Sequence, residues 1–472
     1  MSYGFQYDVA IIGGGSGGYA AARTAAAAGL RTAVIEGGKE VGGLCILRGC
    51  MPTKALLYAA EVMHLTTHAG KWGVRTKAVG FDFGAVMARK DMLIKEFADY
   101  RRQQLADGRF AFIRAEARFL DKHTLALSTD ETLTAAHFII STGSIVAPSP
   151  LPDLDQIGYL TSDDALILKR PPESLVVLGG GPVAVEFAQF FARFGVKVTI
   201  IQRSPQLLRD FDEDAARELE KVFRREGLEL FCDTQLVSAA REGKRKQITF
   251  EHDGQLRSVH AEEIFFALGR VPNISRLGLE KAGVDAALET ILTDAHMQTD
   301  VSHIYAVGDC TGPYEIVHIA IQQGEVAGYN IAHPDSPRKM DYRLLTNVVF
   351  TEPQIATVGL TEKEAALHNI PYLCASYPFS DHGKSMIMEA RDGFVKLLAN
   401  PASGEIIGGC CVGPLGGELI HEITAAMHKY MTVHELAAMP HYHPTLAEIW
   451  TYPAEELAQK IALKPDFDLR NQ

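Results

Sequence analysis

Two cysteines, Cys45 and Cys50, stand close together in the glycine-containing stretch GGLCILRGCMPTK at 42–54. Thiols at this spacing form a redox couple, contribute to a metal site, or are inert buried side chains. A zinc site needs further cysteine or histidine ligands at metal spacing. The next such residue is His64, and no C-x-x-C motif occurs in the chain, so we predict no metal site. Spacing alone leaves the redox couple and the two inert thiols open.

A disulfide between these cysteines requires a distorted helix. Cα atoms five residues apart in an ideal α-helix lie about 8.6 Å from each other, beyond the ~7 Å limit for a disulfide. Gly49 would permit the distortion, and Pro52 suits an irregular helix start. We expect the helix to continue through TKALLYAAEVMHL at 53–65.

The stretch at 7–38 predicts a strand, a glycine turn, an alanine-rich helix and a second strand. The turn fits G-x-G-x-x-G at Gly13, Gly15 and Gly18, and Glu36 closes the second strand. Such glycines allow a tight turn, the approach of a pyrophosphate to the backbone, and close helix–strand packing. The acid binds ribose hydroxyls, and the helix N-terminus faces the phosphates. We therefore predict a dinucleotide-binding fold.

The same pattern recurs at 173–204, with Gly179, Gly181 and Ala184 as its fingerprint residues. Here the second predicted strand is followed by Arg203 and not by an acid. A carboxylate at this position repels the 2′-phosphate of NADP, whereas an arginine attracts it. Arg209 would be a second clamp on that phosphate. The pattern favours NADP, with NAD possible if both arginines only coat a polar loop.

Length and composition limit the class of protein. The 472 residues predict about three domains. A net charge of −12 without a basic cluster argues against nucleic acid and anionic membranes as partners. We find no bilayer-spanning apolar run and no signal-peptide pattern. Seven cysteines are too few for a disulfide framework, so we expect a cytoplasmic protein in which any disulfide is catalytic.

Seven motifs together resemble the flavin-dependent pyridine nucleotide–disulfide oxidoreductases, a family that includes dihydrolipoamide dehydrogenase, glutathione reductase and mercuric reductase. They follow the family's order along nearly the whole chain: GGGSGG at 13–18 with Glu36, GGLCILRGCMPTK at 42–54, STGS at 141–144, GGGPVAVE at 179–186, ALGRVPN at 267–273, YAVGDC at 305–310 and HYHPTLAE at 441–448. The resemblance implies FAD in the first fold and a nicotinamide nucleotide in the second. It also implies a homodimer with an active site shared between subunits.

The expected fold is α/β, with two Rossmann-like dinucleotide-binding domains and a C-terminal α+β dimerisation domain. Proline-rich stretches at 146–155 and 331–343 are predicted linkers. After the second linker, the pattern predicts antiparallel strands flanked by helices, with Cys410 and Cys411 in a core strand. The predicted domains are 1–150 for FAD with the cysteine pair, 151–268 for NAD(P), 269–340 completing the FAD site, and 341–472 for the subunit interface.

The resemblance implies roles for the two cysteines and for two charged residues. Cys50 resembles the thiolate that passes charge to the flavin, and Cys45 the thiol that exchanges with substrate. Lys54 resembles the lysine beside flavin N5, where a positive charge favours the reduced flavin. Glu186 resembles the ion-pair partner of that lysine.

Further residues follow from the same comparison of motifs. The STGS and ALGR motifs place Thr142, Gly143 and Gly269 among the cofactor contacts. Asp309 resembles the acid that binds the ribityl chain of FAD, and Cys310 beside it is expected only to be packed.

In HYHPTLAE, His443 resembles the family's general acid–base, and Glu448 would hold its ring and tautomer. We interpret the nearby His441 as a surface residue.

The chain departs from the family pattern near the thiols. Leu44 replaces a common threonine, and Leu47-Arg48 replace Asn-Val. Arg48 lowers a thiol pKa, attracts an anionic substrate, or simply points to solvent; these alternatives stay open. Arg23 resembles an arginine that binds a substrate carboxylate in glutathione reductase, but Glu325 stands where another such arginine would fall. This charge disfavours glutathione disulfide as the substrate.

We therefore expect an FAD enzyme that moves two electrons between NAD(P)H and a thiol/disulfide substrate, most like dihydrolipoamide dehydrogenase. One alternative is an NADPH-dependent reductase of another disulfide or of a metal ion. Others are a flavin oxidase or transhydrogenase on the same scaffold, and a non-enzymatic redox-sensing flavoprotein. These last alternatives predict the loss of at least one residue of the electron path, and all of those residues are present.

Overall fold

The computed structural model describes residues 4–285 and 289–461, and it confirms the mixed α/β class. Its strands are β1 (Tyr7–Ile12), β2 (Thr32–Ile35), β3 (Ala111–Ile113), β4 (Ala117–Phe119), β5 (Thr124–Leu127), β6 (Thr132–Ile140), β7 (Ser144–Val146), β8 (Ser174–Leu178), β9 (Lys197–Ile201), β10 (Glu229–Phe231), β11 (Thr234–Glu242), β12 (Arg245–His252), β13 (Gln255–Ala261), β14 (Glu263–Phe266), β15 (Arg270–Pro272), β16 (Ile304–Ala306), β17 (Thr346–Val349), β18 (Gln354–Gly359), β19 (Leu373–Pro378), β20 (Phe394–Ala399) and β21 (Ile406–Gly413).

The α-helices are α1 (Ser16–Ala27), α2 (Gly43–Leu47), α3 (Cys50–Thr67), α4 (Phe83–Leu105), α5 (Pro152–Ile157), α6 (Ser162–Ala165), α7 (Pro182–Arg193), α8 (Glu213–Arg225), α9 (Leu279–Ala282), α10 (Val317–Ala332), α11 (Glu362–Leu367), α12 (Gly383–Ile387), α13 (Gly416–His428), α14 (Val433–Ala438) and α15 (Thr451–Lys460). Across the described residues, none of these helices combines the length and apolar character needed to cross a bilayer.

The first structural unit contains the described residues up to Ala55, Gly84–Pro148 and the described part of Gly269–Asp341. Its sheet has the order β3-β2-β1-β6-β5-β4, and β16 pairs with β6. Strands β1, β2, β6 and β16 run parallel, so their carboxyl ends meet at one edge. The glycine turn, Glu36, the STGS motif and the GDC motif all follow these ends. The sheet thus brings four motifs that are distant in sequence to one edge.

The alanine-rich α1 packs closely against α10 in this unit. A Cβ atom on Gly324 would lie 2.2 Å from the Gly17 carbonyl oxygen, and one on Gly328 would lie 2.8 Å from that of Ala21. No side chain larger than hydrogen fits at these two positions of α10. Ala21 and Ala25 are fully buried on the facing side of α1. Small residues therefore fix the start of α1, and with it the glycine turn, against the core.

The second unit contains Leu56–Phe83, Ser149–Leu268 and the described chain from Tyr342 onward. Its parallel sheet has the order β10-β9-β8-β14, and β11, β12 and β13 form an antiparallel sheet. α7 follows β8 through the second glycine turn. The predicted four-segment division of the chain is a finer partition and stays a prediction.

The C-terminal part of the second unit is an antiparallel sheet, in the order β17-β18-β21-β20-β19, with helices. This matches the predicted α+β arrangement. Cys410 and Cys411 are buried in β21, as predicted. The predicted linker at 146–155 is shorter than expected, because α5 already begins at Pro152.

Candidate active site

The first glycine turn lies between β1 and α1. Gly13 has a φ of +107°, and a Cβ atom there would lie 2.2 Å from the Ser141 carbonyl oxygen. A Cβ atom on Gly18 would lie 1.9 Å from the Gly13 carbonyl oxygen. Gly15 caps α1 without a side-chain hydrogen bond, so the first N–H groups of this helix remain available to an anion. The turn has the geometry of a pyrophosphate site.

Glu36 and Thr142 lie at the same sheet edge. Glu36 accepts hydrogen bonds from the N–H groups of Gly14 (2.8 Å) and Gly38 (2.6 Å), which fixes its carboxylate beside the turn. The Thr142 hydroxyl is buried and forms no hydrogen bond within the described chain. A buried polar group without a partner is costly, and a bound ligand would relieve that cost. These residues fit a bound FAD.

Asp309 follows β16 and accepts a hydrogen bond from the Ser144 hydroxyl at 2.7 Å. Arg270 donates from Nε to the same hydroxyl oxygen at 2.8 Å. β7 and β15 pair antiparallel, with Gly143 and Gly269 just before them at opposite ends of the short ladder. Asp309 therefore lies at the end of the β7–β15 ladder where Ser144 follows Gly143. Gly269 lies at the opposite end of that ladder.

The second glycine turn repeats the first one in the other unit. Gly179 has a φ of +108°, and a Cβ atom there would lie 2.3 Å from the Ala267 carbonyl oxygen. Gly181 precedes α7 and faces open space, whereas Ala184 is fully buried on that helix. The loop after β9 returns to this turn, because the Leu208 N–H donates to the Gly180 carbonyl at 2.7 Å.

The two predicted phosphate clamps lie on that loop. Arg203 is exposed, and its guanidinium forms no hydrogen bond or ion pair within the described ranges. Arg209 is also exposed, with Nε 3.3 Å from the Asp210 carboxylate. Of the two arginines, Arg203 is therefore the one whose guanidinium is not already paired with an acid among the described residues.

The cysteine pair spans a break between two helices. Cys45 lies in α2, which ends at Leu47, and Cys50 is the first residue of α3. A Cβ atom on Gly49 would lie 3.1 Å from the Leu44 carbonyl oxygen and 3.3 Å from the Cys45 Cα. Gly49 therefore permits the distortion by allowing close approach and not by adopting a positive φ. The break removes the ideal-helix spacing that would keep the thiols apart.

The two thiols titrate as a pair. A hydrogen bond with Cys50, followed by burial and the charge of Cys50, raises the pKa of the Cys45 thiol above its ordinary value, while Lys54 and Arg101 lower it. The two protons are therefore lost in steps that belong to the pair and not to either thiol alone. Two cations act on this thiol, and the sequence had indicated only one of them.

Arg101 of α4 is the cation that sequence analysis missed. Its guanidinium carbon lies 4.2 Å from the centre of the Tyr19 ring, and Nη1 is buried without a hydrogen-bond partner among the described residues. Arg109 Nη2 donates to the Tyr19 hydroxyl at 3.1 Å, which holds the ring. The YRRQQL stretch around Arg101 has the pattern of an exposed helix surface, so no sequence signal identified it.

We expect Arg101→Met to slow alkylation of Cys45 by iodoacetamide in the reduced protein, by roughly threefold to tenfold at neutral pH. Removal of the cation raises the pKa of the Cys45 thiol and lowers its thiolate fraction. Peptide mass spectrometry of the Cys45 peptide measures the rate against pH. Arg102→Met is the matched control, because Arg102 is exposed and paired with Asp99. Equal rates in the two variants would contradict a role for Arg101.

Arg48 and Glu186 are two further residues that the sequence analysis singled out. Arg48 is half-exposed and lies 3.7 Å from Glu40, which agrees with its solvent-facing interpretation. Glu186 is buried in α7 and accepts a hydrogen bond from the Phe350 N–H at 2.9 Å. Its predicted pairing with Lys54 stays a prediction.

Arg23 pairs with Glu325, so the arginine that resembles a carboxylate-binding residue is already engaged by an acid.

The histidine–glutamate pair is formed within the second unit. His443 Nδ1 lies 2.9 Å from Glu448 Oε2. The His443 side chain is 78% exposed and the Glu448 side chain 11% exposed, so a buried acid orients an accessible imidazole. The interpretation of His441 as a surface residue was wrong. Its side chain is only 7% exposed, and Nε2 lies 2.6 Å from Glu422.

The Cys310 thiol is fully buried. Burial raises the pKa of Cys310 to about 11, and its Sγ lies against backbone carbonyls. This agrees with its predicted packing role. Within the described residues, no group of three histidine, cysteine, aspartate or glutamate side chains is arranged to hold a metal ion.

Comparisons with known proteins find relatives over almost the whole chain. The family model for pyridine nucleotide-disulphide oxidoreductases matches residues 7–324, and the model for the dimerisation domain of that family matches residues 345–454. The dihydrolipoyl dehydrogenase of Mycobacterium leprae is 34% identical over 430 residues, which cover 89% of this chain and 91% of that protein.

Two solved structures share the fold over almost their whole length. LpdA from Mycobacterium tuberculosis is 28% identical with a TM-score of 0.86, covering 95% of this chain and 99% of that one. The HOCl-induced flavoprotein disulfide reductase RclA from Escherichia coli is 25% identical with a TM-score of 0.85, covering 95% and 99%.

Proposed function

Because the chain belongs to the pyridine nucleotide–disulphide oxidoreductase family, we propose that it oxidises a dihydrolipoamide-type dithiol through Cys45 and Cys50. It is a flavin disulfide oxidoreductase, with FAD and a pyridine nucleotide as cofactors and a dimerisation domain that supports a homodimer. The observation that carries the proposal is the position of the two thiols on either side of the break between α2 and α3, where Cys50 is the largest influence on the pKa of Cys45.

The thiol chemistry follows from this pair. A substrate thiolate attacks Cys45 Sγ of the oxidised pair, which breaks the bond between the two sulfur atoms and leaves Cys50 as the thiolate. The second substrate thiol attacks the mixed disulfide, releasing Cys45 and closing the disulfide of the substrate. Of the two protons lost by the dithiol, one stays on Cys45 and His443 accepts the other. Bound FAD supplies the two-electron carrier between these thiols and the nucleotide.

The residues around Cys45 and Cys50 support this sequence of thiol–disulfide exchanges. Lys54 and Arg101 stabilise negative charge at the thiols, and a positive charge at Lys54 also favours reduced flavin. Thr142, Asp309 and the Gly13 turn would hold FAD. We further propose that His443 and Glu448 serve the cysteine pair of the other subunit, because both belong to the segment that matches the dimerisation domain.

A direct assay tests the substrate. The purified FAD-loaded protein is assayed with dihydrolipoamide and NAD⁺ or NADP⁺, and in reverse with NAD(P)H and lipoamide, glutathione disulfide or Cu(II). We expect lipoamide to exceed the other acceptors by at least about tenfold in kcat/KM, because the paired Arg23 and Glu325 offer glutathione carboxylates no free cation. A preference for glutathione disulfide or Cu(II) would overturn the proposal.

The second candidate is an NADPH-driven reductase of another disulfide or of a metal ion. The exposed Arg203 and the likeness to the disulfide reductase RclA, which has also been solved as a Cu(II) complex, favour it. Because Arg203 is exposed after β9, where an arginine attracts a 2′-phosphate, we also propose NADP as the nucleotide.

Arg203→Ala is expected to raise the KM for NADPH by roughly 10- to 100-fold, the scale of a lost charge-assisted hydrogen bond, and to leave that for NADH within threefold. Anaerobic stopped-flow reduction with each nucleotide provides the measurement. Arg217→Ala is the control, since this exposed arginine pairs with Glu213 on α8. An unmodified protein that prefers NADH, or a variant equally impaired with both nucleotides, would argue for NAD.

A further inference from the structure

A second histidine contacts the acid of the histidine–glutamate pair. His382 follows a short 3₁₀ helix (Phe379–Asp381) and caps α12. Its side chain is fully buried, with Nε2 3.3 Å from Glu448 Oε1. The other oxygen of this carboxylate, Oε2, faces His443 Nδ1. Glu448 therefore lies between a buried imidazole and an exposed one.

The far side of the His382 ring is fixed as well. Nδ1 lies 2.8 Å from the hydroxyl of Ser385, which is also fully buried. When that hydroxyl donates to Nδ1, the ring proton stays on Nε2 and points toward Glu448. The Nε2–Oε1 contact is close without being an aligned hydrogen bond, and Nε2 has no other polar partner among the described residues. Nothing else in this part of the chain competes for that proton.

His382 is held neutral by its surroundings. Burial lowers the pKa of His382 below its ordinary value, and Glu448 opposes this shift. The titratable groups that face the ring are Glu448 and His443, with the Tyr452 ring at 6.4 Å between centroids. A neutral ring with Nε2 3.3 Å from Oε1 contacts the Glu448 carboxylate without placing a positive charge beside it, so the charge of the carboxylate is left to act on His443. A protonated His382 would instead neutralise the acid.

We propose that His382 is a positioning residue for the acid–base pair, acting through Glu448 as the buried end of a His382–Glu448–His443 chain, with Ser385 fixing its tautomer. The inference rests on the proposed role of His443 in thiol chemistry. Glu448 has little solvent to stabilise its charge, so it needs a second partner to keep Oε2 directed at His443.

The experiment measures His443 directly and needs no turnover. Diethyl pyrocarbonate modifies only neutral imidazole, so the rate of His443 modification against pH, followed by peptide mass spectrometry, reports the protonation of this ring. In the full-length FAD-loaded protein, His382→Leu is expected to move the midpoint to lower pH, because a misdirected Glu448 no longer favours the charged ring. His382→Gln carries an amide donor near the position of Nε2, and we expect it to restore the midpoint.

Three outcomes decide the proposal. A folded His382→Leu protein, by near-ultraviolet circular dichroism, with the wild-type midpoint would overturn it. Where His382→Leu does not fold, Ser385→Ala takes its place: it keeps the imidazole, and a midpoint shifted the same way supports the proposal, whereas an unchanged midpoint contradicts it. Loss of thiol turnover in every protein, with the expected midpoint shifts intact, would refute the proposed function and leave the positioning role standing.

Discussion

Cys50→Ser is expected to reduce dihydrolipoamide-dependent reduction of the nucleotide by more than about 10³-fold, the scale of losing a covalent participant. Cys45→Ser is expected to do the same, because each thiol is needed for one of the two sulfur–sulfur exchanges. Serine keeps the size and a hydroxyl but forms no disulfide. The assay follows nucleotide absorbance at saturating dithiol.

Two controls separate lost chemistry from lost structure. Ferricyanide reduction by NAD(P)H requires the bound cofactors but no thiol, so both serine variants should keep it within about threefold. Cys232→Ser removes a half-buried thiol whose pKa burial raises to about 12, and it should keep full dithiol activity. If Cys50→Ser retained a tenth of the dithiol activity, the thiols would not be on the electron path.

The break at the cysteine pair was predictable from sequence because it follows from covalent geometry. Thiols five residues apart cannot bridge in an ideal helix, and the structure ends α2 at Leu47 and begins α3 at Cys50. Sequence could not specify how Gly49 works. Its role depends on the approach of the Leu44 carbonyl, which is a packing contact.

The dinucleotide turns were equally predictable, since their positive-φ glycines and their following helices are local features. The residues that act on the Cys45 thiol and on the Glu448 carboxylate could not be predicted in this way. Arg101 and His382 act on groups 56 and 66 positions away in the chain, respectively, and each lies in a stretch whose composition resembles ordinary surface helix or loop. Only the tertiary fold brings Arg101 to Cys45 and His382 to Glu448.

His441 also shows that the local sequence pattern does not determine whether a side chain is buried. Two histidines separated by a single residue have the same local pattern, yet one ring is exposed and the other is buried. Both His441 nitrogens face acceptors, namely Met439 O and Glu422. Of these two histidines, only His443 leaves Nε2 without a hydrogen-bond partner in the described chain, so only its ring has a nitrogen free to exchange a proton with a substrate.

We therefore expect His443→Gln to lower kcat with dihydrolipoamide by roughly 10²- to 10⁴-fold, the usual range for loss of a general acid–base. The deficit should grow toward acidic pH, where fewer substrate thiols are ionised without a base. His441→Gln is a matched control, because it removes a histidine of an equivalent histidine–glutamate pair. It should keep kcat within about threefold, since its ring exchanges no proton with substrate. An equal loss in both variants would mean that the segment acts only through its packing, and a His443→Gln enzyme with near-normal kcat would remove this residue from the mechanism.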